Sequence, residues 1–489
     1  MPFAGKTDMT KGEPAVAASA QAALLEVVEK QLPAAPLDVL LLGEFSAVMR
    51  AALQTRGYRL TNLRWRDPQH QVQPPAGASG ELLQVTLGGP ATAGRHFDAV
   101  LALDFAADIH PLALFDGLND VLTPQGVVVL AGEGAAGSWM DYVPALAARC
   151  GFDIDAPSAE TAGPFFAHVL RRAVTAPRWR VGHVLPTDFD EVAALFQDVF
   201  GHPLSRALWD WKYFAGRGNA VLVRSEGKVV AHYGGIYRDI LLCGKPDRVA
   251  QIGDVMVQSR ERGVLTRNGP FFLIGTSWPE VYGPRGFGFP NARAMRVAEK
   301  MGLYTKAGQM AQLRWQPSAP RARLGSRLRS LARGNAADGA LVAPLWAAMA
   351  HDLRESVVGV RDWAYLERRY FSHPHNHYEV LLVSARFTGK PLGVVVLRRL
   401  EDACELLDVI APLAHFERVI DQARRLTGRW GLPSLYAWTA STHLPLFLAC
   451  GGAEEALNVL IPASSWTDDP QSELFVDKWW LMSGDTDFR

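Results

Sequence analysis

Cysteine is scarce in this sequence: Cys150, Cys243, Cys404 and Cys450 are the only four in 489 residues. Their spacing suits neither a disulfide framework nor a metal cluster, so free thiols in a reducing compartment are expected and no metal site is. Net charge is also missing, since 50 Lys and Arg balance 50 Asp and Glu. No global field draws such a chain to nucleic acid or to an anionic membrane. No run of about twenty apolar residues occurs, which argues against a membrane span. Near the first residues, Lys6, Lys11 and Glu13 leave no uninterrupted apolar core for a secretion signal. A soluble, cytoplasmic protein is the expectation, and nothing in these features sets its oligomeric state.

The composition, 48% hydrophobic and 20% charged, is that of a globular chain. Its length calls for two to four domains. From Leu37 to about Arg172, short apolar strands alternate with helical patterns: Leu37–Gly43, Tyr58–Trp65, Leu82–Gly88, Phe97–Asp104 and Gly126–Glu133. Near-continuous apolar strands imply a parallel sheet covered on both faces, so residues 1–175 are expected to form a Rossmann-like, doubly wound α/β domain. The stretches Phe97-Asp-Ala-Val-Leu-Ala-Leu-Asp104 and Leu122-Thr-Pro-Gln-Gly-Val-Val-Val-Leu130 resemble class I S-adenosylmethionine-dependent methyltransferases. That resemblance implies a glycine-rich cofactor turn after the first strand. Here the turn is Leu42-Gly-Glu-Phe-Ser-Ala47, and Phe45 and Ser46 stand where close backbone approach needs no side chain. A degenerate domain without S-adenosylmethionine is expected, an active methyltransferase being the alternative.

Residues 176–314 read as a second domain. Trp209-Asp-Trp-Lys-Tyr-Phe214 ends a helical stretch, and its rings suit core or gate packing, with a sugar platform as the alternative. Ala220–Arg224 and Lys228–Gly235 form a hairpin around Glu226-Gly227, and the strand Arg248–Val257 comes next. A helix starting near Gly263 places the backbone N–H groups of Ser259–Leu265 where a pyrophosphate binds well. Further on, Asn291 is a good helix N-cap, Ala294, Val297, Ala298 and Met301 form an apolar face, and Gly302 gives the stop.

These two elements in this order resemble the GNAT superfamily of acyl-CoA N-acyltransferases. Arg260-Glu-Arg-Gly263 matches the family's turn, with Leu265 replacing its last small residue. Asn291, Ala294, Glu299-Lys300, Gly302 and Leu303 match its second signature. The resemblance implies an acyl-CoA co-substrate, acetyl-CoA first among them, and a small-molecule acceptor that is a small amine or of amino-sugar type. It further implies that Asp254 is the base that takes the amine proton. Backbone groups of Met256 and Val257 would pair with the pantetheine arm and polarise the thioester oxygen. Arg260, Glu261, Arg262, Gly263, Val264 and Leu265 would hold the phosphates, and Asn291 would contact the cofactor unless it serves only as a cap. The sequence departs at Ala298, where the family has a tyrosine that protonates the departing thiolate. Tyr282 and Tyr304 are the alternative donors, with water as a third.

Residues 315–345 read as an Arg- and Ala-rich linker. Residues 346–489 echo the second domain: Lys212-Tyr-Phe214 recurs as Arg369-Tyr-Phe371, and Glu226-Gly-Lys228 as Thr388-Gly-Lys390. Such self-similarity at long period points to a duplicated domain. In this copy Leu406–Ile410 takes the place of the phosphate-turn strand but runs into Ala411-Pro-Leu-Ala, so a second, degenerate GNAT-like α+β domain is expected. His373-Pro-His-Asn-His377 reads as a loop and Gly484–Arg489 as a solvated tail, the alternative being that Asp485 and Asp487 face a cationic amine. The competing function is a non-catalytic scaffold or regulator, favoured by Ala298 and Leu265.

Overall fold

The computed structural model describes residues 25, 26, 28, 30–43, 45–63, 94–103, 111–133, 142–155, 165–263, 266–283, 285–318, 325–467 and 470–486. The fold is mixed α/β and falls into two compact units. The first comprises Met1–Asp188, Val221–Ala231 and Asn268–Val281. The second comprises Phe189–Ala220, His232–Arg267 and Tyr282–Arg489. Among the described residues no helix is long and apolar enough to cross a membrane.

In the first unit, β1 (Asp38–Leu42), β2 (Arg59–Leu63), β3 (Phe97–Leu103), β4 (Leu122–Glu133), β5 (Phe152–Ile154) and β6 (Phe165–Arg172) form one sheet in the order β2-β1-β3-β4-β6-β5. Strands β1 to β4 are mutually parallel, while β6 runs antiparallel to both neighbours. Four of the five expected strands are present in this sheet; Leu82–Gly88 lies outside the described residues, as do Glu44 and Asp104. Phe45 is buried in the core, and Ser46 caps the helix Ala47–Thr55 by accepting from the Met49 N–H. Both residues of the shortened turn therefore have packing or capping work.

The middle sheet contains β7 (Arg180–His183), β8 (Gly218–Ser225), β9 (Lys228–Leu242), β10 (Lys245–Val257), β11 (Gly286–Phe287), β14 (Val357–Gly359) and β21 (Trp479–Trp480), with the path β11-β10-β9-β14-β21. The expected hairpin at Glu226-Gly227 is present, both residues having positive φ (51° and 78°), a turn conformation that glycine adopts at no steric cost. After β10 the chain departs from expectation in two respects. Only a single 3₁₀ turn, Ser259–Glu261, forms there, and the next α-helix runs from Pro270 to Tyr282 rather than from near Gly263. Gly263 sits at φ 96°, which ends helical geometry, and proline suits the first helical turn.

The third sheet has eight strands: β12 (Tyr304–Trp315), β13 (Ser326–Ser330), β15 (Glu379–Ala385), β16 (Pro391–Arg399), β17 (Cys404–Ile410), β18 (Leu435–Ala440), β19 (Ala453–Glu455) and β20 (Leu460–Ser464). Within the segment expected to be a linker, β13 pairs antiparallel with β15, and Arg329 reaches the buried Asp338 at 2.7 Å. Leu328 between two arginines gives the polar–apolar alternation of an edge strand. His373–His377 is a loop as expected, its Asn376 N–H donating to His373 Nδ1.

The described part of the tail, which ends at Thr486, is not solvated, and Asp487 lies outside the described residues. Ser483–Asp485 folds into a 3₁₀ turn, and Asp485 is 1% exposed. Its carboxylate accepts from Arg238 at 2.9 Å and from Arg361 at 2.6 Å. Arg361, itself fully buried, also binds Asp408 at 2.8 Å, and the Tyr365 and Tyr370 hydroxyls donate to the other Asp408 oxygen. Two guanidiniums thus meet two carboxylates out of water, an arrangement that is costly to break from one side. Arg361→Met is expected to destabilise the second unit by about 3–5 kcal/mol, read as a lower urea midpoint for its unfolding.

Candidate functional site

The site is built on β10 and on the C-terminal end of the helix Arg206–Tyr213. Ser205 caps that helix by accepting from the Leu208 N–H at 3.1 Å. Trp209 is fully buried against Phe189 and Phe214, which places Lys212 and Tyr213 in the last turn facing inward. The rings read as core packing are core, and they aim the two polar side chains beside them.

Asp254 stands at φ 49° in the middle of β10. Such a conformation interrupts regular pleating as a bulge does, and aspartate tolerates it better than most residues. Lys212 Nζ donates to both carboxylate oxygens, at 2.9 and 3.0 Å, and the Tyr213 hydroxyl donates to Oδ2 at 2.6 Å. Burial pushes the Asp254 carboxyl up, but the Lys212 ammonium, the Tyr213 hydroxyl and His232 outweigh it, and the group is held below its ordinary value. His232, on β9, completes the cluster. Burial keeps its imidazole neutral, and Nδ1–H donates to the Asp254 carbonyl oxygen at 2.8 Å. This bond leaves the lone pair on Nε2, a buried atom with no hydrogen-bond partner among the described residues.

β10 pairs with β11 in parallel only at Ala250↔Gly286 and Gln251↔Phe287. Beyond Gln251 the ladder with β11 ends, although Gly288 still lies against Ile252; β10 runs on to Val257, and the Pro290 carbonyl accepts from Leu460 of β20. Asp254, Met256 and Val257 lie on this last stretch of β10, Met256 buried and Val257 half-buried. In the turn, Ser259 N–H and Oγ both bind Asp198, Glu261 N–H donates to the Gln258 carbonyl, and Arg262 Nε covers the Val257 carbonyl. Several donors and one acceptor expected to face a cofactor therefore have protein partners. The Arg260 and Arg262 side chains remain exposed, as does Gly263; Val264 and Leu265 lie outside the described residues.

Asn291 is the N-cap of the helix Ala292–Lys300, accepting from the Ala294 N–H at 2.9 Å. Its side-chain oxygen is thus used by the cap. Ala298 is fully buried, and its carbonyl accepts from the Leu303 N–H, closing the helix beside Gly302. The Tyr304 hydroxyl pairs with that of Tyr233, and burial pushes it up to about 12. Burial raises Tyr282 as well, and its hydroxyl donates to the Ala220 carbonyl. Both phenols hold their protons more tightly than a thiol ordinarily does. The sequence shows Lys212 and Tyr213 only as parts of an aromatic run and a repeated motif, and carries no sign of their role, or that of His232, beside Asp254.

Residues 181–267 match the family model of the acetyltransferase (GNAT) domain. No curated protein matches the chain in sequence. Among solved structures, the chain is similar to a probable N-acyltransferase from Enterococcus faecalis V583, with 11% identity, TM-score 0.46, and coverage of 62% of this chain and 74% of that one. It is also similar to a GCN5-related N-acetyltransferase from Kribbella flavida, with 16% identity, TM-score 0.42, and coverage of 58% and 70%. A third is the N-myristoyltransferase of Saccharomyces cerevisiae with bound myristoyl-CoA, with 10% identity, TM-score 0.42, and coverage of 65% and 86%.

The Lys212–Asp254 pair is nearly excluded from water, with side chains 3% and 8% exposed. Asp254→Asn removes the negative charge that faces the buried Lys212 ammonium and is expected to cost about 3–5 kcal/mol at neutral pH. Because the folded carboxyl lies below its ordinary 3.8, its contribution is complete above that pH and is lost as pH falls through the lower folded value. Urea unfolding of both proteins should therefore show a stability gap that is wide at pH 7 and narrows below about pH 4.

Proposed function

We propose that this protein is an acyl-CoA-dependent N-acyltransferase, acetyl-CoA being the first donor to test and a small amine or amino sugar the acceptor. The observation that carries the reading is the end of the β10–β11 pairing at Gln251, after which β10 runs on to Val257 and into a turn bearing Arg260, Arg262 and Gly263. A pantetheine arm is a chain of amides and needs an unpaired strand edge of this kind, and the cationic turn at its end suits phosphates. The match of residues 181–267 to the GNAT domain supports the same assignment.

In this reading residues 176–314 hold the acyl-CoA, residues 315–345 connect, and residues 346–489 are a degenerate second copy. Parallel wiring supports the duplication: Tyr213 donates to Asp254 on β10, and Tyr370, its counterpart in the repeated motif, donates to Asp408 on β17. Residues 1–175 would be a Rossmann-like, methyltransferase-like domain that has lost its cofactor turn, and its parallel strands with one reversed strand fit that descent. Met256 and Val257 would present backbone groups to the pantetheine and thioester, with Arg260, Glu261, Arg262, Gly263, Val264 and Leu265 around the phosphates and Asn291 shaping the opposite wall through its cap.

Asp254 is ionised and so can accept a proton, yet its bonds to Lys212 and Tyr213 make it a weak base. Its stronger contribution is to position the end of the helix Arg206–Tyr213 against β10. With a buried alanine at 298, proton supply to the thiolate falls to solvent. A binding protein without turnover is the second reading, favoured by the Lys212–Asp254 pair that occupies the proposed base.

Titration of the full chain with acetyl-CoA, alongside thiol release over a panel of amines, separates these readings. Saturable binding with amine-dependent thiol release is expected. Gly263→Glu should weaken binding at least tenfold by placing a side chain at positive φ and an anion beside the phosphates. Asp254→Asn should keep binding and lose at least tenfold in kcat. Absence of acetyl-CoA binding by the wild-type chain would overturn the proposal, and binding without release from any amine favours the second reading.

A further inference from the structure

A cavity of about 240 Å³ lies in the second unit, and the aromatic run at Trp211 and the repeated motif at Arg369 both contribute to its wall. At roughly 30 Å³ per liquid water, it holds on the order of eight waters, room for a small polar molecule. Arg217, Arg238, Arg248, Arg368 and Arg369 line it together with three aromatic rings, and no carboxylate side chain is among the lining residues.

These five cations are not equally compensated. Arg238 is bound to Asp485 at 2.9 Å, and Arg248 approaches Asp239 at 3.5 Å. Arg369 gives Nε and Nη2 to the neutral carbonyls of Gly484 and Thr486. Arg217 donates to the Trp211 carbonyl at 3.2 Å. Among the described residues, neither Arg217 nor Arg368 has a carboxylate within 4.0 Å. Burial and the nearby Arg238 guanidinium loosen the hold of Arg368 on its proton and outweigh the opposing carboxylates of Asp239 and Asp362, a setting that a bound anion would relieve. Guanidiniums pair with carboxylates and phosphates through parallel N–H donors, so the arrangement selects an oxyanion.

The cavity adjoins the site already described. Gln251, in its lining, precedes Asp254 by three residues on β10. Ala215, Gly216 and Arg217 come directly after Lys212 and Tyr213, the residues that hold Asp254. We propose that this cavity seats the phosphate or carboxylate group of the amine acceptor, with Arg217 and Arg368 as its specificity-determining residues beside Trp211. This assignment rests on the N-acyltransferase reading and narrows it to acceptors that carry an anion.

Three matched amines test it on the full chain: O-phosphoethanolamine, glycine and ethanolamine, each titrated calorimetrically and each offered as acceptor in the thiol-release assay with acetyl-CoA. At least one of the two charged amines is expected to bind ten times more tightly than ethanolamine, and whichever does so identifies phosphate or carboxylate as the preferred group. Arg368→Gln and Arg217→Gln, two independent variants, should each lose that preference while keeping the acetyl-CoA affinity and thermal midpoint of the wild type. Equal binding of all three amines would overturn the proposal. So would displacement of the charged amine by coenzyme A, or loss of acetyl-CoA affinity in both variants, since either result assigns the arginines to the cofactor phosphates. Thiol release that favours ethanolamine removes the seat and leaves the acyltransferase reading intact. Arginine-dependent anion binding with no thiol release from any amine keeps the oxyanion seat and overturns the acyltransferase reading.

Discussion

Asp408 and Asp485 are carboxylates without access to water, and the second unit depends on how their charge is met. Arg361 reaches both, Arg238 reaches Asp485 from β9, and two tyrosine hydroxyls finish Asp408. The cluster joins the middle sheet, strand β17 and the residues at 483–485, which lie far apart in the chain. In a medium of low dielectric such a network tolerates only one arrangement, because each displaced group leaves an unpaired charge. Its consequence at the surface is that Arg238 and Tyr365 stand fixed in the wall of the arginine-lined cavity.

Asp254 and Asp408 show the same local device turned to different ends. Each lies on a strand that precedes a turn, and each accepts from the tyrosine of a repeated Lys/Arg-Tyr-Phe motif. Around Asp408 the remaining acceptor capacity is taken by Arg361, the residue is fully buried, and β17 continues into Ala411-Pro412. At Asp254 the partner is Lys212, the backbone is bent to positive φ, and the pairing of β10 with β11 has already ended. Asp408 thus serves as a brace, whereas Asp254 lies on a strand that leads into a cationic turn.

Local signals proved dependable where the physics is local. The Glu226-Gly227 hairpin, the Asn291 cap with its Gly302 stop, and the loop at His373–His377 depend on backbone preferences of a few residues, and all were legible in the chain. The start of the helix at Pro270 was not, because local residue order around Gly263 does not distinguish a single 3₁₀ turn from the first turn of an α-helix. β13 was hidden by its arginines, which suit an edge strand as well as a linker. Asp254 was found from its strand position, but the residues that set its chemistry, Lys212, Tyr213 and His232, come from another helix and strand and share no spacing with it.

The sequence by itself determined the alternation of strands and helices, the basic turn after β10, the cap, and an alanine at 298, since each is a property of residue type and near-neighbour order. Tertiary structure alone decided that Asp254 is an ion-paired anion and no free base, that Asp485 is a buried counter-charge, and that five arginines surround one cavity. The reason is that charge in a protein is valued by its surroundings. A carboxylate or guanidinium has one meaning in water and another when burial forces it to find a partner, and sequence spacing does not specify partners that lie far away along the chain.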